Sequence, residues 1–173
     1  MTEYRCPYCA FAVDTRRTPD DAGWLARTLA DWERERPFFE GQAATLSFGG
    51  GTPSRADPAA LAVVVRAVDP TGEVSLEANP EDVTPARLEQ WRSSGVNRLS
   101  LGVQSFQPAL APRYGRAHSA RDASRALEAV SRAGFRSFSA DLIYGHPEQT
   151  VDMLVEDIDQ AVATGVDHVS LYS

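Results

Sequence analysis

A serine between two apolar residues recurs along this chain, and the spacing of the repeat constrains the fold more than any other feature. The copies are Leu46-Ser47-Phe48, Val74-Ser75-Leu76, Leu99-Ser100-Leu101, Phe138-Ser139-Ala140 and Val169-Ser170-Leu171. They follow one another at intervals of about 30 residues, which is the length of one strand–helix unit. Short apolar runs of this kind are typical of strands buried on both faces of a parallel sheet. The repeat therefore predicts an α/β fold built from successive β/α units.

Helix signals fill the intervals between the apolar runs. Apolar residues follow the i, i+3, i+4, i+7 spacing of a buried helix face at Leu61, Val64, Val65 and Val68. Helix starts carry a capping side chain before proline, or a capping box, at Thr18-Pro19, Asp57-Pro58, Thr84-Pro85 and Ser119 with Asp122. Helix stops are glycines that lead into the next strand, at Gly95, Gly134 and Gly165.

These signals define a coarse topology. They predict helices over residues 19–36, 58–68, 85–94, 120–133 and 150–164, and strands over residues 45–49, 73–77, 98–103, 136–143 and 167–172. Because crossovers between parallel strands are right-handed, the units wind in one direction, into a barrel or an open doubly wound sheet. The length of 173 residues predicts a single domain.

Polar residues follow the apolar runs where each predicted strand ends. The segments are Gly49–Gly51 with Thr52, Glu77-Ala78-Asn79-Pro80, Gly102-Val103-Gln104-Ser105, and Asp141 with Tyr144-Gly145-His146-Pro147. In a β/α barrel the strand ends open onto one face, where such folds carry their chemistry. The three glycines offer backbone N–H groups that a ligand's carboxylate or amine can approach closely. We therefore predict one polar pocket lined by these loops.

Three charged residues in these loops are candidates for ligand contact, and each has a structural alternative. Glu77 and Asp141 lie two residues past the serine of their runs, which predicts the same depth in the pocket. A carboxylate there either binds the hydroxyls of a ribose or forms a salt bridge across the barrel mouth. Arg116 either clamps a carboxylate bidentately or is a solvated surface residue. The histidines lack metal-ligand spacing and are interpreted as structural or exposed: His118, His146 and His168.

The two cysteines of the chain form a C-x-x-C motif, Cys6-Pro7-Tyr8-Cys9. By itself the motif is compatible with half a zinc site, a redox dithiol or part of an iron–sulfur ligand set. A thioredoxin-like motif would follow a strand and open a helix, whereas a turn-rich stretch follows this one. We therefore favour metal ligation by Cys6 and Cys9. A zinc protein stays an alternative that lacks a second ligand pair.

Composition limits the classes of partner. A net charge of −7 argues against a nucleic-acid binder, which needs a basic face. The longest apolar run, residues 61–65, is far shorter than a membrane span, and the first residues lack the apolar region of a signal peptide. We therefore expect a cytoplasmic protein with no membrane span and no nucleic-acid partner, in a compartment where paired cysteines more often bind metal than form disulfides.

The motifs above resemble, in order and across nearly the whole chain, those of the radical S-adenosylmethionine (SAM) superfamily. Within it, the chain is similar to the group of oxygen-independent coproporphyrinogen III oxidases and HemW-type heme chaperones. The segments that carry the resemblance are residues 6–11, 48–54, 77–80, 95–106 and 141–147. The resemblance implies a partial (β/α)6 TIM-like barrel that lacks its first strand, in an incomplete radical-SAM core domain over residues 1–173.

The resemblance also implies cofactors and the residues that bind them. Cys6 and Cys9 match the last two cysteines of the C-x-x-x-C-x-x-C motif that binds a 4Fe-4S cluster, and Thr2 stands where the first cysteine is expected. Positions that contact SAM are matched by Gly50, Gly51, Thr52, Glu77, Gln104, Arg116 and Asp141. Among these, Arg116 suits the methionyl carboxylate. No catalytic residue is assigned.

One position separates the two branches of the group. Phe11 stands where the oxidase branch has an extra cysteine, which favours the heme-chaperone branch. On this interpretation the protein binds heme or a porphyrin and receives electrons from a donor protein. Two alternatives stay open, namely a coproporphyrinogen III dehydrogenase that converts propionates to vinyls, and a cluster-free binding module. Thr2, together with the missing first strand and porphyrin-handling C-terminal region, favours a fragment or a misplaced gene start.

Overall fold

The computed structural model of this protein describes residues 6–9, 20–116 and 118–173. Its helices are α1 (Asp21–Glu35), α2 (Pro58–Val68), α3 (Pro85–Ser93), α4 (Ala120–Arg132) and α5 (Val151–Ala163). Its strands are β1 (Leu46–Phe48), β2 (Val74–Ala78), β3 (Arg98–Gln104), β4 (Ser137–Ile143) and β5 (His168–Tyr172). Short 3-10 turns lie at Arg36–Phe38, Pro53–Arg55 and Pro80–Asp82. Within the described ranges, no helix combines the length and apolar character needed to cross a membrane.

The strands form one parallel sheet in the order β1-β2-β3-β4-β5. Each strand pairs with the next one in sequence, so every crossover moves in the same direction, as in a β/α barrel. The main core lies between the sheet and its helices. There, Leu76, Leu99 and Leu101 of the strands and Leu61 and Trp91 of the helices are fully buried. The predicted α/β fold with a parallel sheet is confirmed.

Local capping chemistry sets the helix ends. Ser119 and Asp122 form the predicted capping box, in which each side chain accepts a hydrogen bond from the other residue's backbone N–H. The first helix start was placed wrongly at residue 19. Asp20 accepts from Gly23 N–H at 2.9 Å, so the helix begins at Asp21. Thr18-Pro19 lies outside the described residues. All other predicted elements are present, with ends that shift by about one residue.

In β2 and β3 only one face is buried, which contradicts the predicted burial on both faces, whereas in β4 Ser139 on the other face is buried as well. In β2, Val74 and Leu76 are buried, Ser75 is half-buried and Glu77 is exposed. Because side chains alternate across a strand, the flanking apolar residues face the helices and the central residue faces the opposite side of the sheet. This opposite side, named the inner face below, carries the repeat serines Ser47, Ser75, Ser100, Ser139 and Ser170.

The strand register also corrects the prediction that Glu77 and Asp141 lie at the same depth. Glu77 pairs with Ser100 across β2 and β3, whereas Asp141 pairs with Gly102 across β3 and β4. Asp141 therefore lies two residues beyond the level of Glu77. Closing a sheet into a barrel requires such a stagger between strands, and the spacing of a sequence repeat does not contain it.

Candidate functional site

The loop after β1 wraps around the carboxylate of Glu77. Gly50 and Gly51 have φ angles of 79° and 64°, in the left-handed region that favours glycine. A Cβ atom at Gly49 would lie 2.8 Å from Glu77 Oε1, and the Gly50 N–H donates to Glu77 Oε2 at 3.2 Å. A Cβ atom at Gly50 would meet nothing within 4 Å. The loop is therefore closed against Glu77 on one side and open to a ligand on the other.

A buried hydrogen bond anchors the far end of this loop to the turn after β2. Ser54 is fully buried, and its Oγ donates to Asp82 Oδ2 at 2.7 Å. Arg55 lies close to the same carboxylate, with its Nε 3.4 Å from Asp82 Oδ1. Thr52, matched to the SAM-binding loop, is also buried. Sequence reasoning missed Ser54 and Asp82 because no local signal pairs residues on different loops.

Asp141 lies on the inner face, where a serine of the repeat holds its carboxylate. Ser100 Oγ lies 3.0 Å and 2.9 Å from the two carboxylate oxygens and 2.9 Å from Ser139 Oγ. Burial raises the pKa of Asp141, and the hydrogen bonds from Ser100 and Ser170 offset only part of this rise. The serines of the repeat therefore share the inner face with Asp141, whereas their recurrence between apolar residues predicts a strand core buried on both faces.

Arg116 is held between two loops and the cysteine motif. Its Nη2 donates to Asn79 Oδ1 at 2.6 Å and to the Gly102 carbonyl at 2.8 Å. Its Nη1 lies 3.5 Å from Cys6 Sγ and 3.4 Å from the Tyr8 hydroxyl oxygen. Its Nε is buried without a hydrogen-bond partner in the described structure. These contacts exclude the alternative of a solvated surface arginine.

The side chains of Gln104 and Arg116 both end next to Gly102. Gln104 ends β3 at a bulge in the pairing with β4, and its φ of 71° is left-handed although it is not a glycine. From the position of a Cβ atom at Gly102, Gln104 Nε2 would lie at 2.8 Å and Arg116 Nη2 at 3.0 Å. A larger residue at position 102 would therefore displace the ends of both side chains. The left-handed backbone conformation of Gln104 costs about 1–3 kcal/mol, and residues of this kind persist where the surrounding structure enforces them, often at functional sites.

Cys6 and Cys9 are half-buried in a turn that the Cys9 N–H closes on the Cys6 carbonyl at 3.1 Å. The Arg116 guanidinium lies beside Cys6. Burial raises the pKa of Tyr8 far above its usual range, although Arg116 opposes the rise. The Tyr8 hydroxyl therefore stays protonated. Tyr8 also packs edge-on against Tyr114, with ring centroids 5.9 Å apart.

The residues present fit SAM, whereas they fit only part of a cluster site. The chain has two cysteines, one fewer than the motif it resembles. In the described ranges, no group of three or more His, Cys, Asp or Glu side chains is arranged to hold a metal. For SAM, the site offers an arginine Nε that is buried and unpartnered, an open glycine loop, and carboxylates on the inner face. A zwitterionic ligand with a ribose matches these groups.

The histidines lie where structural or exposed histidines were predicted. His118 is buried, with its ring nitrogens near Glu81 and the Val103 carbonyl. His146 packs edge-on against Tyr114 at a centroid distance of 5.7 Å, and His168 is exposed. Sequence reasoning did not assign a role to Asn79 or Tyr8. Both were within the quoted motifs, so the motifs located them, although only the folded chain shows that they meet Arg116.

Comparison with known protein families identifies the superfamily. Residues 3–161 match the family model described as the radical SAM superfamily. The chain belongs to the radical SAM superfamily. Membership implies SAM and a 4Fe-4S cluster as the general cofactors of the superfamily, and supports the partial barrel inferred from the winding of the sheet.

Individual relatives refine the comparison. The heme chaperone HemW of Escherichia coli K12 is 35% identical over 97% of this chain and 47% of its own length. HemW of Mycobacterium tuberculosis H37Rv is 38% identical over 98% of this chain and 46% of its own. The structure of coproporphyrinogen III oxidase (HemN) from E. coli, described as a radical SAM enzyme, has a TM-score of 0.83 and 25% identity, over 98% of this chain and 41% of its own. The chain thus spans about half the length of the curated relatives it matches.

Proposed function

We propose that this chain is the SAM-binding barrel of a HemW-like heme chaperone. Identities of 35% and 38% to HemW proteins of two bacteria extend over nearly the whole chain, which supports this branch of the superfamily. The proposed cargo is heme, and the proposed redox partner is an electron-donor protein. The cytoplasm, where thiols stay reduced, is the proposed compartment.

The arrangement of Arg116 is the observation that carries SAM binding. Two of its nitrogens are fixed by Asn79, Gly102, Cys6 and Tyr8, and the third is buried without a partner. An arginine whose side chain is already oriented can donate hydrogen bonds to a ligand's carboxylate with little further loss of side-chain entropy. We assign the methionyl carboxylate of SAM to Arg116.

The other matched residues surround the same ligand. Gly50, Gly51 and Thr52 would face the methionine end of SAM through the open side of their loop. Glu77, Gln104 and Asp141 would contact the ligand by hydrogen bonds, with Asp141 two residues nearer the carboxyl ends of the strands than Glu77. In the superfamily, the cluster and SAM together supply radical chemistry. Cys6 and Cys9 would be the cluster ligands that this chain contributes.

A coproporphyrinogen III dehydrogenase is the second candidate function. The TM-score of 0.83 to HemN supports it, because the two barrels share their architecture over 98% of this chain. The sequence position that separates the branches, Phe11, lies outside the described residues, so the preference for the chaperone still rests on sequence.

Calorimetric titration of SAM into the anaerobically purified chain tests the binding site. We expect saturable binding by the wild type and a loss of affinity of at least about tenfold in Arg116→Ala, because a charge-assisted hydrogen bond is removed. Arg113→Ala is the matched control, since Arg113 is an exposed arginine of the same loop that pairs with Glu148 at 3.0 Å. Equal binding by all three proteins, or no binding by the wild type, would contradict the proposed site.

Two assays on a version of the protein that spans the full length of its HemW relatives separate the chaperone from the oxidase. We expect hemin to titrate to saturation in the Soret region, and no vinyl product to form from coproporphyrinogen III after cluster reconstitution with SAM and a reductant. Product formation without hemin binding would instead support the dehydrogenase.

A further inference from the structure

His118 connects two segments of the barrel mouth from behind the proposed SAM site. Its side chain is completely buried, and Nδ1 lies 2.9 Å from Glu81 Oε2, on the turn after β2. Nε2 lies 3.2 Å from the carbonyl oxygen of Val103, in β3. One imidazole ring therefore joins the β2–α3 turn to the end of β3.

Arg116 connects the same two segments through residues close to those that His118 contacts. It donates to Asn79, two residues before Glu81, and to the carbonyl of Gly102, next to Val103. The loop that carries Arg116 and His118 is thus fixed twice, by two parallel pairs of hydrogen bonds. The pair made by Arg116 belongs to the proposed ligand site. The pair made by His118 lies beside a separate cavity that Asp122 and Arg125 of α4 also line.

The acceptors of the second pair are a backbone carbonyl and a carboxylate. A backbone carbonyl cannot donate, so the bond to Val103 requires a hydrogen on Nε2 of His118. Burial raises the pKa of Glu81, but the hydrogen bond from His118 and one from the Glu81 backbone outweigh burial, so the pKa is lowered. The ring of His118 thus lies between a carbonyl oxygen and a negatively charged carboxylate.

We propose that His118, held by Glu81 and by the Val103 carbonyl, is a positioning residue that fixes the loop of Arg116 in its ligand-binding orientation. The proposal rests on the proposed function in one respect, because it takes Arg116 to be the group that receives the carboxylate of SAM. His118 itself does not contact the ligand. Its effect reaches the ligand through the short chain segment between His118 and Arg116.

Charged groups surround His118 on more than one element. Glu81 faces it from the β2–α3 turn, and Asp122 and Arg125 of α4 line the same cavity of about 390 Å³. The positive charge of Arg116 also helps to lower the pKa of Glu81. The carboxylate of Glu81 is therefore the group whose removal should release the loop.

Nuclear magnetic resonance on the intact 173-residue chain tests the proposal without any ligand. The readouts are the ring nitrogens of His118 and the Nε–H signal of Arg116, whose exchange with water reports how firmly the buried guanidinium is held. Glu81→Gln, which removes the charge and keeps the shape, is expected to speed Arg116 Nε–H exchange and to weaken SAM binding, each by about tenfold.

Asp122→Ala is the matched control. Asp122 lines the same cavity and caps the same helix, but it bonds Ser119 and neither Arg116 nor His118 in the described structure. This variant is expected to lower the melting temperature while the Arg116 signal and the SAM affinity stay unchanged.

The outcomes are distinct. If Asp122→Ala moves the Arg116 signal as much as Glu81→Gln does, His118 acts only through stability and the proposal is wrong. The proposal is also wrong if Glu81→Gln leaves the exchange of Arg116 unchanged. If the wild type fails to bind SAM while Glu81→Gln still releases Arg116, the proposed function fails and the positioning role stands.

Discussion

The guanidinium of Arg116 is oriented by the protein before a ligand is bound. Asn79 and the Gly102 carbonyl hold one nitrogen, and Cys6 and Tyr8 lie within 3.5 Å of another. Ordering a free arginine side chain costs up to about 2 kcal/mol, and here the fold has already met that cost. The planar geometry of the Arg116 guanidinium should therefore contribute to ligand binding in addition to its charge.

Arg116→Lys tests whether this planar geometry matters. Lysine keeps the positive charge but is a flexible point charge that cannot bond Asn79, Gly102 and a carboxylate in one plane. We expect SAM affinity to fall by about tenfold or more in calorimetric titration, because at least one charge-assisted hydrogen bond is lost. Arg113→Lys, on the exposed part of the same loop, is expected to bind like the wild type. Full affinity in Arg116→Lys would show that charge alone is sufficient.

Asp141→Asn is expected to stabilise the protein at neutral pH. Burial raises the pKa of Asp141 in the folded state above that of the unfolded chain, so the folded state binds more protons between the two values. Stability then decreases as the pH rises through this window, and the loss is complete above the folded-state pKa. Asparagine removes the charge, and its oxygen can still accept a hydrogen bond from Ser100.

Thermal unfolding over a pH series measures this effect. We expect the melting temperature of Asp141→Asn to exceed that of the wild type by about 2–4 °C at pH 7, for a change of the order of 1 kcal/mol. The difference should shrink as the pH approaches about 4, where an unfolded aspartate also protonates. A difference that is independent of pH would assign the change to packing instead of charge. Asp152→Asn, exposed on α5, is the control.

At the scale of elements, one carboxylate fastens α5 to the loop that follows β3. Asp157 of α5 is fully buried and accepts from Ser105 Oγ at 2.6 Å and from the Phe106 N–H at 2.8 Å. Ser105 directly follows Gln104, whose backbone is left-handed. Burial raises the pKa of Asp157, and the bonds from Ser105 and Phe106 oppose that rise. The helix thus supports the strained residue of the site from outside the pocket.

Asp157→Ala is expected to destabilise the chain strongly. The substitution leaves a buried hydroxyl and a buried backbone N–H without their acceptor, and each unsatisfied group costs about 1–3 kcal/mol. We expect denaturant titration to show a loss of about 3 kcal/mol in the free energy of unfolding. Asp159→Ala on the exposed side of α5 should change it by less than about 0.5 kcal/mol. Equal effects of the two substitutions would contradict the buried linkage.

Elements were predictable where local chemistry decides them. The capping box of Ser119 and the glycine stops at Gly95 and Gly134 placed helix ends correctly, because caps involve neighbours in sequence. The depth of Asp141 was not predictable, since it depends on which residues of β3 and β4 pair. The candidate site shows the same division between local and long-range information. The sequence placed Arg116 in the loop after β3, but its contact with Asn79 depends on how distant loops pack in the folded chain.

At the scale of the whole molecule, the site joins residues that are distant in sequence. The contact between Cys6 and Arg116 spans 110 positions, so the cysteine motif lies beside the proposed SAM site. Cys6 and Cys9 alone offer two thiolates, and the motif that this chain resembles has a third cysteine where Thr2 stands. The amount of cluster that the chain binds should therefore rise when a third cysteine is introduced at position 2.

Thr2→Cys is expected to increase the iron content after anaerobic reconstitution. A third thiolate completes the C-x-x-x-C-x-x-C spacing, so iron and acid-labile sulfide should rise from a substoichiometric level toward about four irons per chain. Thr45→Cys, which adds a cysteine at an exposed position before β1, should not raise the iron content. A full complement of iron in the wild type would show that two cysteines and an exogenous ligand are sufficient.

The one-sided burial of β2 and β3 has a consequence for how such a chain can diversify. Leu76, Leu99 and Leu101 supply the folding energy on the helix side, while Ser75 and Ser100 on the inner face contribute little apolar burial. Mutations of the inner face therefore carry a small penalty in stability and a large potential effect on what is bound. Selection can explore new ligands on one side of the sheet while the other side preserves the fold.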